Sequence, residues 1–233
     1  MRVLRGRADD PETDRAVTRD AVARVAETGD PTVRVWAPHR QVAFGRRDAR
    51  REGYDRARDA AGERGYASLE RSVGGRAVAY TGETTLAFAR IEPVAEVRGG
   101  LDDRYERLTV DVRRALRRLG VPAERGEPDD AFCPGQHSLQ RGGKLVGIAQ
   151  RVQQGAATTS GVCLVDERDE LADVLAAVYD ALGVAFDPAS VGSVAAAGGT
   201  ADVATVRATI EDELVGDHEA TVHEVDDDGL RET

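Results

Sequence analysis

Lysine is almost missing from this 233-residue chain: 31 arginines stand beside a single lysine, Lys144. Cysteine is nearly as scarce. Cys133 and Cys163 are the only two, which excludes a disulfide framework. Aromatic residues reach only 4%. No apolar run approaches the roughly 18 residues that a membrane-spanning helix needs. No basic-then-apolar start reads as a secretion signal. Basic charge is in deficit, with 32 Lys and Arg against 42 Asp and Glu and a formal net charge of −10. That balance argues against a partner held by its phosphate backbone. The expectation is a cytoplasmic globular protein with no nucleic-acid or membrane partner. The acidic, Arg- and Ala-rich composition fits a salt-adapted, halophile-like source.

Familiar chemical signatures are absent too. The histidines stand at 39, 137, 218 and 223, with no HxxxH pair, and there is no CxxC. The expectation is therefore no metal site, with His218 and His223 solvated near an acidic tail. The chain has no phosphate-binding Walker loop, no strand-linked GxGxxG and no GxSxG elbow.

What is present is a readable alternation of periods. Residues 12–28 and 48–64 read as helices, closed by Gly29 and Gly65. Residues 32–37, 41–45, 68–71 and 84–91 read as strands. From Asp102 the period becomes helical, with Leu108, Val112, Ala115, Leu116 and Leu119 on one face. Residues 144–152 and 162–165 return to strand. Leu171, Val174, Leu175, Val178 and Leu182 form a further helical stripe. Val203, Val206, Ile210 and Leu214 form the last. The order predicts an α+β fold, with a mixed or mostly antiparallel sheet flanked by helices. One domain over residues 1–225 and an acidic, frayed tail over 226–233 are expected.

Two segments could carry chemistry. The first runs Arg71-Ser72-Val73-Gly74-Gly75-Arg76-Ala77-Val78. Paired glycines let a backbone approach a ligand closely, and their N–H groups can face an acyl carbonyl or a phosphate. Arg71 and Arg76 flank them as anion partners. Alone, such a pair is more often a plain turn. The second runs from Phe132-Cys133-Pro134 through His137 to Gly143-Lys144 and on to Gly147, Ala149 and Gln150. Cys133 lies in a turn-like stretch, whereas Cys163 sits in the apolar run VCLV and reads as core. A loop thiol becomes a nucleophile when a cation lowers its pKa below about 8.5. His137 and Lys144 are the candidate cations, and an unremarkable loop thiol is the other reading. In a chain that otherwise uses Arg for every cation, Lys144 stands out as a compact point charge.

These segments resemble the lipoate–protein ligase A / octanoyltransferase family, whose catalytic fold is shared with biotin–protein ligases. The family's Arg-x-x-Gly-Gly-x-Ala-Val segment is matched by RSVGGRAV, Arg71 to Val78. Its Gly-x-Lys-x-x-Gly-x-Ala segment is matched by Gly142, Lys144, Gly147 and Ala149, about 70 residues later. The early VRVWAPHRQVAFGR stretch resembles a strand pair of the same family. Tyr80 stands where the family often has a histidine, and Thr159-Ser160-Gly161 lacks the histidine often found before the next strand.

The resemblance implies a biotin/lipoate ligase-like catalytic domain. It also implies transfer of a lipoyl or octanoyl group to a lysine of a lipoyl acceptor domain, in 2-oxoacid dehydrogenase subunits or the glycine cleavage H protein. Two routes are implied. An octanoyltransferase takes the acyl group from a carrier, such as acyl carrier protein, through a cysteine and needs no tightly bound cofactor. A lipoate–protein ligase uses ATP and Mg and can work with a separate accessory subunit. Cys133 and Lys144 are the catalytic residues expected. Arg71, Gly74, Gly75, Arg76, Ala77, Tyr80, Gly147 and Ala149 are expected to bind substrate. The absent histidines motivate an alternative, a catalytically silent member that binds an acylated or lipoylated carrier.

Overall fold

Local signals set most of the elements. The Asp10 carboxylate accepts the Thr13 N–H at 2.7 Å, Pro11 occupies the first helical position, and Gly29 at φ 78° closes α1 (Pro11–Thr28). A computed structural model describes residues 1–71, 75–96 and 99–226, with the backbone of 229–230. The remaining elements are β1 (Arg2–Gly6), β2 (Thr32–Trp36), β3 (Gln41–Phe44), α2 (Tyr54–Gly62), β4 (Ala67–Glu70), β5 (Val78–Tyr80) and β6 (Thr85–Pro93). Then come α3 (Leu101–Arg118), β7 (Glu124–Arg125), β8 (Ser138–Gln140), β9 (Lys144–Gln153) and β10 (Ala156–Leu164). The chain finishes with α4 (Arg168–Ala181), α5 (Val203–Val215), β11 (Thr221–Asp226) and β12 (Gly229–Leu230).

Nine strands form one mixed sheet in the order β12-β11-β1-β2-β6-β10-β9-β8-β7. Strand β1 pairs parallel with both β11 and β2, and the ladder from β2 through β9 is antiparallel. A second sheet of three strands, β4-β3-β5, stands apart. The α+β architecture with a mixed sheet and flanking helices is as expected.

The two-residue period of strands sorts side chains between the faces. Val33, Val35, Leu86, Phe88, Val146 and Cys163 meet the buried stripes of α3 and α5. Leu4, Ile91 and Ala156 meet α1. Val162 and Leu164, alternating with Cys163, turn toward the small sheet, α2 and α4. Each fully buried Val or Leu contributes roughly 1.5–3 kcal/mol to this packing. The site lies where β9 and β10 face the small sheet.

Three expectations change. The helix expected over 48–64 spans only 54–62, after turns at 46–53. Asp48 is buried and caps the Gly45 N–H, so it cannot sit on a solvated helix face. A Cβ on Gly53 would lie 1.8 Å from the Ala181 carbonyl oxygen, so the helix starts where that close approach ends. Residues 2–6 and 221–226 form strands that the sequence did not announce. The boundary expected at 225/226 therefore falls inside paired strands, because Val225 pairs with Leu230 and Asp226 with Gly229. His223 lies in β11 opposite Leu4 and is only partly exposed, instead of standing free in a solvated tail. Among the described residues no helix is long and apolar enough to cross a membrane.

Candidate active site

Cys133 sits in the loop between β7 and β8, where the buried ring of Phe132 anchors the chain. Its φ of 41° lies in the left-handed region, which side-chain-bearing residues rarely adopt and which tends to persist at functional sites. Three side chains hold this backbone. The Cys133 N–H donates to the Tyr179 hydroxyl at 2.7 Å, and that hydroxyl donates to the Ala77 carbonyl at 3.0 Å. The Lys144 ammonium, 1% exposed, donates to the carbonyls of Phe132 and Cys133, each at 2.9 Å, and to Glu127 Oε1 at 2.7 Å. The other Glu127 oxygen accepts the Gly135 N–H at 3.2 Å. An ammonium has three N–H donors, and all three are engaged.

The sulfur takes its donors from the glycine segment. The Arg76 backbone N–H lies 3.4 Å from Cys133 Sγ, and Arg71 Nη2 lies 3.7 Å from it. Gly75, at φ 95°, presses against the same atom: a Cβ there would lie 2.9 Å from Sγ. Arg71 is largely buried and also donates to the Arg76 carbonyl. Burial opposes its charge, while the ionised forms of Tyr80 and Cys133 would favour it, and the balance holds its pKa above that of a free guanidinium. The cation at the thiol is thus Arg71, not Lys144 or His137 as the sequence suggested. Lys144 is committed to carbonyl oxygens, and the His137 ring stacks on Tyr105 with centroids 3.9 Å apart.

A cavity of about 100 Å³ opens beside the sulfur. Of the expected site residues, Arg71, Tyr80, Cys133, Lys144, Gly147 and Ala149 line it. Val78, Ile148 and Val162 supply apolar wall. Gly147, on β9, adds no side chain to the space beside Lys144 and Val162, whereas the position a Gly161 side chain would take is already filled by the Phe88 ring. Burial pushes the Tyr80 phenol up, so it stays protonated as a neutral hydrogen-bonding group. Arg76 contributes its backbone N–H, while its guanidinium turns to buried Asp48 at 3.4 Å. Ala77 is a core residue of the neighbouring cluster and not a wall of the cavity. Gly74 lies outside the described residues. Among the described residues, no three His, Cys, Asp or Glu gather as a metal would need.

Sequence reasoning missed Tyr179, Glu127 and Asp48. Tyr179 lies among the buried residues of α4 and looks like core in a one-dimensional pattern. Glu127 and Asp48 stand in charged stretches that read as solvated. One signal was available: an ammonium as buried as Lys144 requires a carboxylate partner.

Comparison with known proteins places these residues in context. Residues 10–215 match the family described as the lipoyl protein ligase A/B catalytic domain. The chain is 32% identical over 152 residues to the octanoyl-GcvH:protein N-octanoyltransferase of Bacillus velezensis, covering 64% of this chain and 53% of that protein. It is 31% identical over 189 residues to octanoyltransferase LipM of an Exiguobacterium species, covering 72% of this chain and 67% of that protein. The chain thus spans between about half and two thirds of the length of these two relatives. In fold it is similar to a lipoate–protein ligase A crystallised with ATP, at TM-score 0.72 and 19% identity over 95% of this chain and 88% of the other. It is also similar to a putative lipoate protein ligase from T. acidophilum with bound lipoic acid, at TM-score 0.67 and 18% identity over 97% and 88%.

Proposed function

The chain belongs to the lipoyl protein ligase A/B catalytic domain family, and we propose that it is a cysteine-dependent acyltransferase. It takes an octanoyl or lipoyl group from a carrier onto Cys133 and passes it to a lysine of a lipoyl acceptor domain. The observation that carries this reading is the Cys133 sulfur. It borders the cavity from a left-handed residue, with the Arg76 N–H and the Arg71 guanidinium at 3.4 and 3.7 Å. The names of the Bacillus and Exiguobacterium relatives, both octanoyltransferases, support it.

In the first half-reaction the sulfur attacks the acyl carbonyl. A C–S bond to Cys133 forms, the bond to the carrier breaks, and the thiol proton leaves with the carrier group. In the second, the acceptor amine attacks the thioester. The C–N bond forms, the C–S bond breaks, and an amine proton returns to the sulfur. Each half builds negative charge at the reacting centre, where Arg71 is the fixed cation. Lys144, Glu127 and Tyr179 hold the loop that aims the sulfur. Val78, Ile148 and Val162 receive the acyl tail, beside the polar side chains of Arg71, Tyr80, Ser138, Lys144 and Ser160.

An ATP-dependent ligase needs cations for the phosphates and carboxylates for Mg. Among the described residues lining the cavity, the cations are Arg71 and Lys144, and no carboxylate is present. Lys144 already satisfies three acceptors. This donor set fits ATP and Mg poorly. Intact-mass measurement after mixing with an octanoyl carrier tests the reading. One octanoyl group on Cys133, lost when a lipoyl acceptor domain is added, is expected. A bound acyl-adenylate formed only with ATP would overturn it in favour of the ligase. An unmodified protein that retains the carrier would favour the silent binder.

A further inference from the structure

The six residues from Arg46 to Arg51 read RRDARR, a local reversal of sign in a chain of net charge −10. The acid among them is turned inward. Asp48 is fully buried, accepts the Gly45 N–H at 3.0 Å and faces the Arg76 guanidinium at 3.4 Å. Arg51 donates to the Leu182 carbonyl at 3.0 Å. Arg46, Arg47 and Arg50 are exposed, and among the described residues none of them has a hydrogen-bond or ion-pair partner. Elsewhere exposed arginines are commonly paired: Arg19 with Glu12, Arg118 with Asp212 and Glu213, Arg125 with Glu106. Three unpaired guanidinium groups within five residues depart from that habit.

The position is as informative as the charge. Gly45, at the base of this turn, abuts the glycine segment: a Cβ there would lie 2.0 Å from the Gly75 carbonyl oxygen. Gly75 in turn presses on Cys133 Sγ. Asp48 ties the turn to Arg76, whose N–H reaches the same sulfur. The arginines therefore stand on a turn braced against the glycine segment that contacts the Cys133 sulfur.

We propose that Arg46, Arg47 and Arg50 dock the acidic face of the protein that delivers the acyl group, placing its acyl arm at the cavity. The inference rests on the acyl-transfer reading above. It follows from charge complementarity: an enzyme whose net charge repels acidic proteins needs a local basic surface beside its site to attract one. Such exposed charges act over about 8 Å at physiological ionic strength, so the attraction is local and salt-sensitive.

The test measures affinity for fluorescently labelled octanoyl-acyl carrier protein directly, at low and at moderate salt. The variant carries Arg46→Glu, Arg47→Glu and Arg50→Glu together. A milder variant carries Gln at the same three positions and guards against a folding defect. The charge-reversed variant is expected to bind the carrier at least roughly tenfold more weakly at low salt, the Gln variant to fall between, and salt to narrow the difference. Acylation of Cys133 by the small thioester octanoyl-N-acetylcysteamine should be unchanged in both variants. Unchanged carrier affinity in the charge-reversed variant would overturn the proposal. So would a self-associated wild-type protein that the same substitutions convert to monomer, because the occupant would then be a second copy. If Cys133 accepts octanoate from neither donor, the acyl-transfer reading fails, while the binding constants still decide whether this turn docks the carrier.

Discussion

The ammonium of Lys144 donates to the carbonyl oxygen of Cys133, 2.9 Å away, while the sulfur of the same residue takes its donors from Arg71 and Arg76. The single lysine thus shapes the Cys133 loop from its backbone side. Lys144→Met would leave Glu127 and two carbonyls without their shared donor. Removing one partner of a buried pair costs about 3–5 kcal/mol, so a drop of that order in urea unfolding is expected. Lys144→Arg should fold but aim the loop differently, because a planar guanidinium cannot replace three converging N–H bonds. Its transfer rate should fall at least tenfold, about 1.4 kcal/mol of barrier. Near-normal turnover of Lys144→Arg would show that the loop tolerates another cation. Glu127→Gln keeps one oxygen for Lys144 and should be the milder change in both measurements.

Gly75 carries two constraints at once. Its φ of 95° is unfavourable for a residue with a side chain, and an added Cβ would meet the sulfur at 2.9 Å. Gly75→Val should abolish acyl transfer and slow alkylation of Cys133 while leaving the helical circular dichroism largely intact. Gly75→Ala should fall between the two. A Gly75→Val protein that still acylates at the wild-type rate would mean that this contact does not govern the thiol.

Tyr179 joins the two segments that the sequence marked out, since its hydroxyl bridges the Cys133 N–H and the Ala77 carbonyl. Burial pushes its phenol far up, so it remains a neutral donor and acceptor at every working pH. Tyr179→Phe keeps the ring but leaves a part-buried N–H and a buried carbonyl without this partner. A loss of about 1–3 kcal/mol is expected on unfolding. The turnover number should fall more than the affinity for carrier, because the loop is misaimed while the docking surface is intact. Equal changes in both would indicate a general loosening of the fold.

How much of this was legible follows from where each signal resides. Helices α1, α3, α4 and α5 and strands β2, β3, β6 and β9 announce themselves by period, because one face is buried and the other is not. Strand β1 hides because Arg2 and Arg5 interrupt its apolar residues, and β11 because Thr221, Val222 and Glu224 are exposed. The pairing of Cys133 with the glycine segment could be suspected only from the resemblance. The partners of that pairing lie far off in sequence: Arg71 is 62 residues away and Tyr179 is 46. Distances of that kind leave no periodic trace. The role of Lys144 was half legible. Its singularity pointed to function, but an ammonium can face a sulfur or a carbonyl, and only the fold chooses.

The two cysteines give the sharpest separation. Cys163 is fully buried in β10, and burial pushes its thiol from 9.0 up to about 12. It should therefore stay protonated and unreactive in the native protein. The native state keeps this proton, whereas the unfolded chain releases it near its ordinary pKa. Stability should then fall as pH rises from about 9 toward 12. Cys163→Ala should flatten that part of the profile even if the cavity it leaves lowers stability overall. At pH 8 iodoacetamide should label only Cys133, which is partly exposed, and should label both thiols in urea. An octanoyl carrier should protect Cys133 from labelling. Cys133→Ser should end transfer from the carrier, because the hydroxyl is a far weaker nucleophile, and should leave any ATP-dependent ligation untouched, because that route needs no enzyme sulfur. Full carrier-dependent transfer by Cys133→Ser would remove the cysteine from the reaction, and with it the role assigned to the two donors at its sulfur.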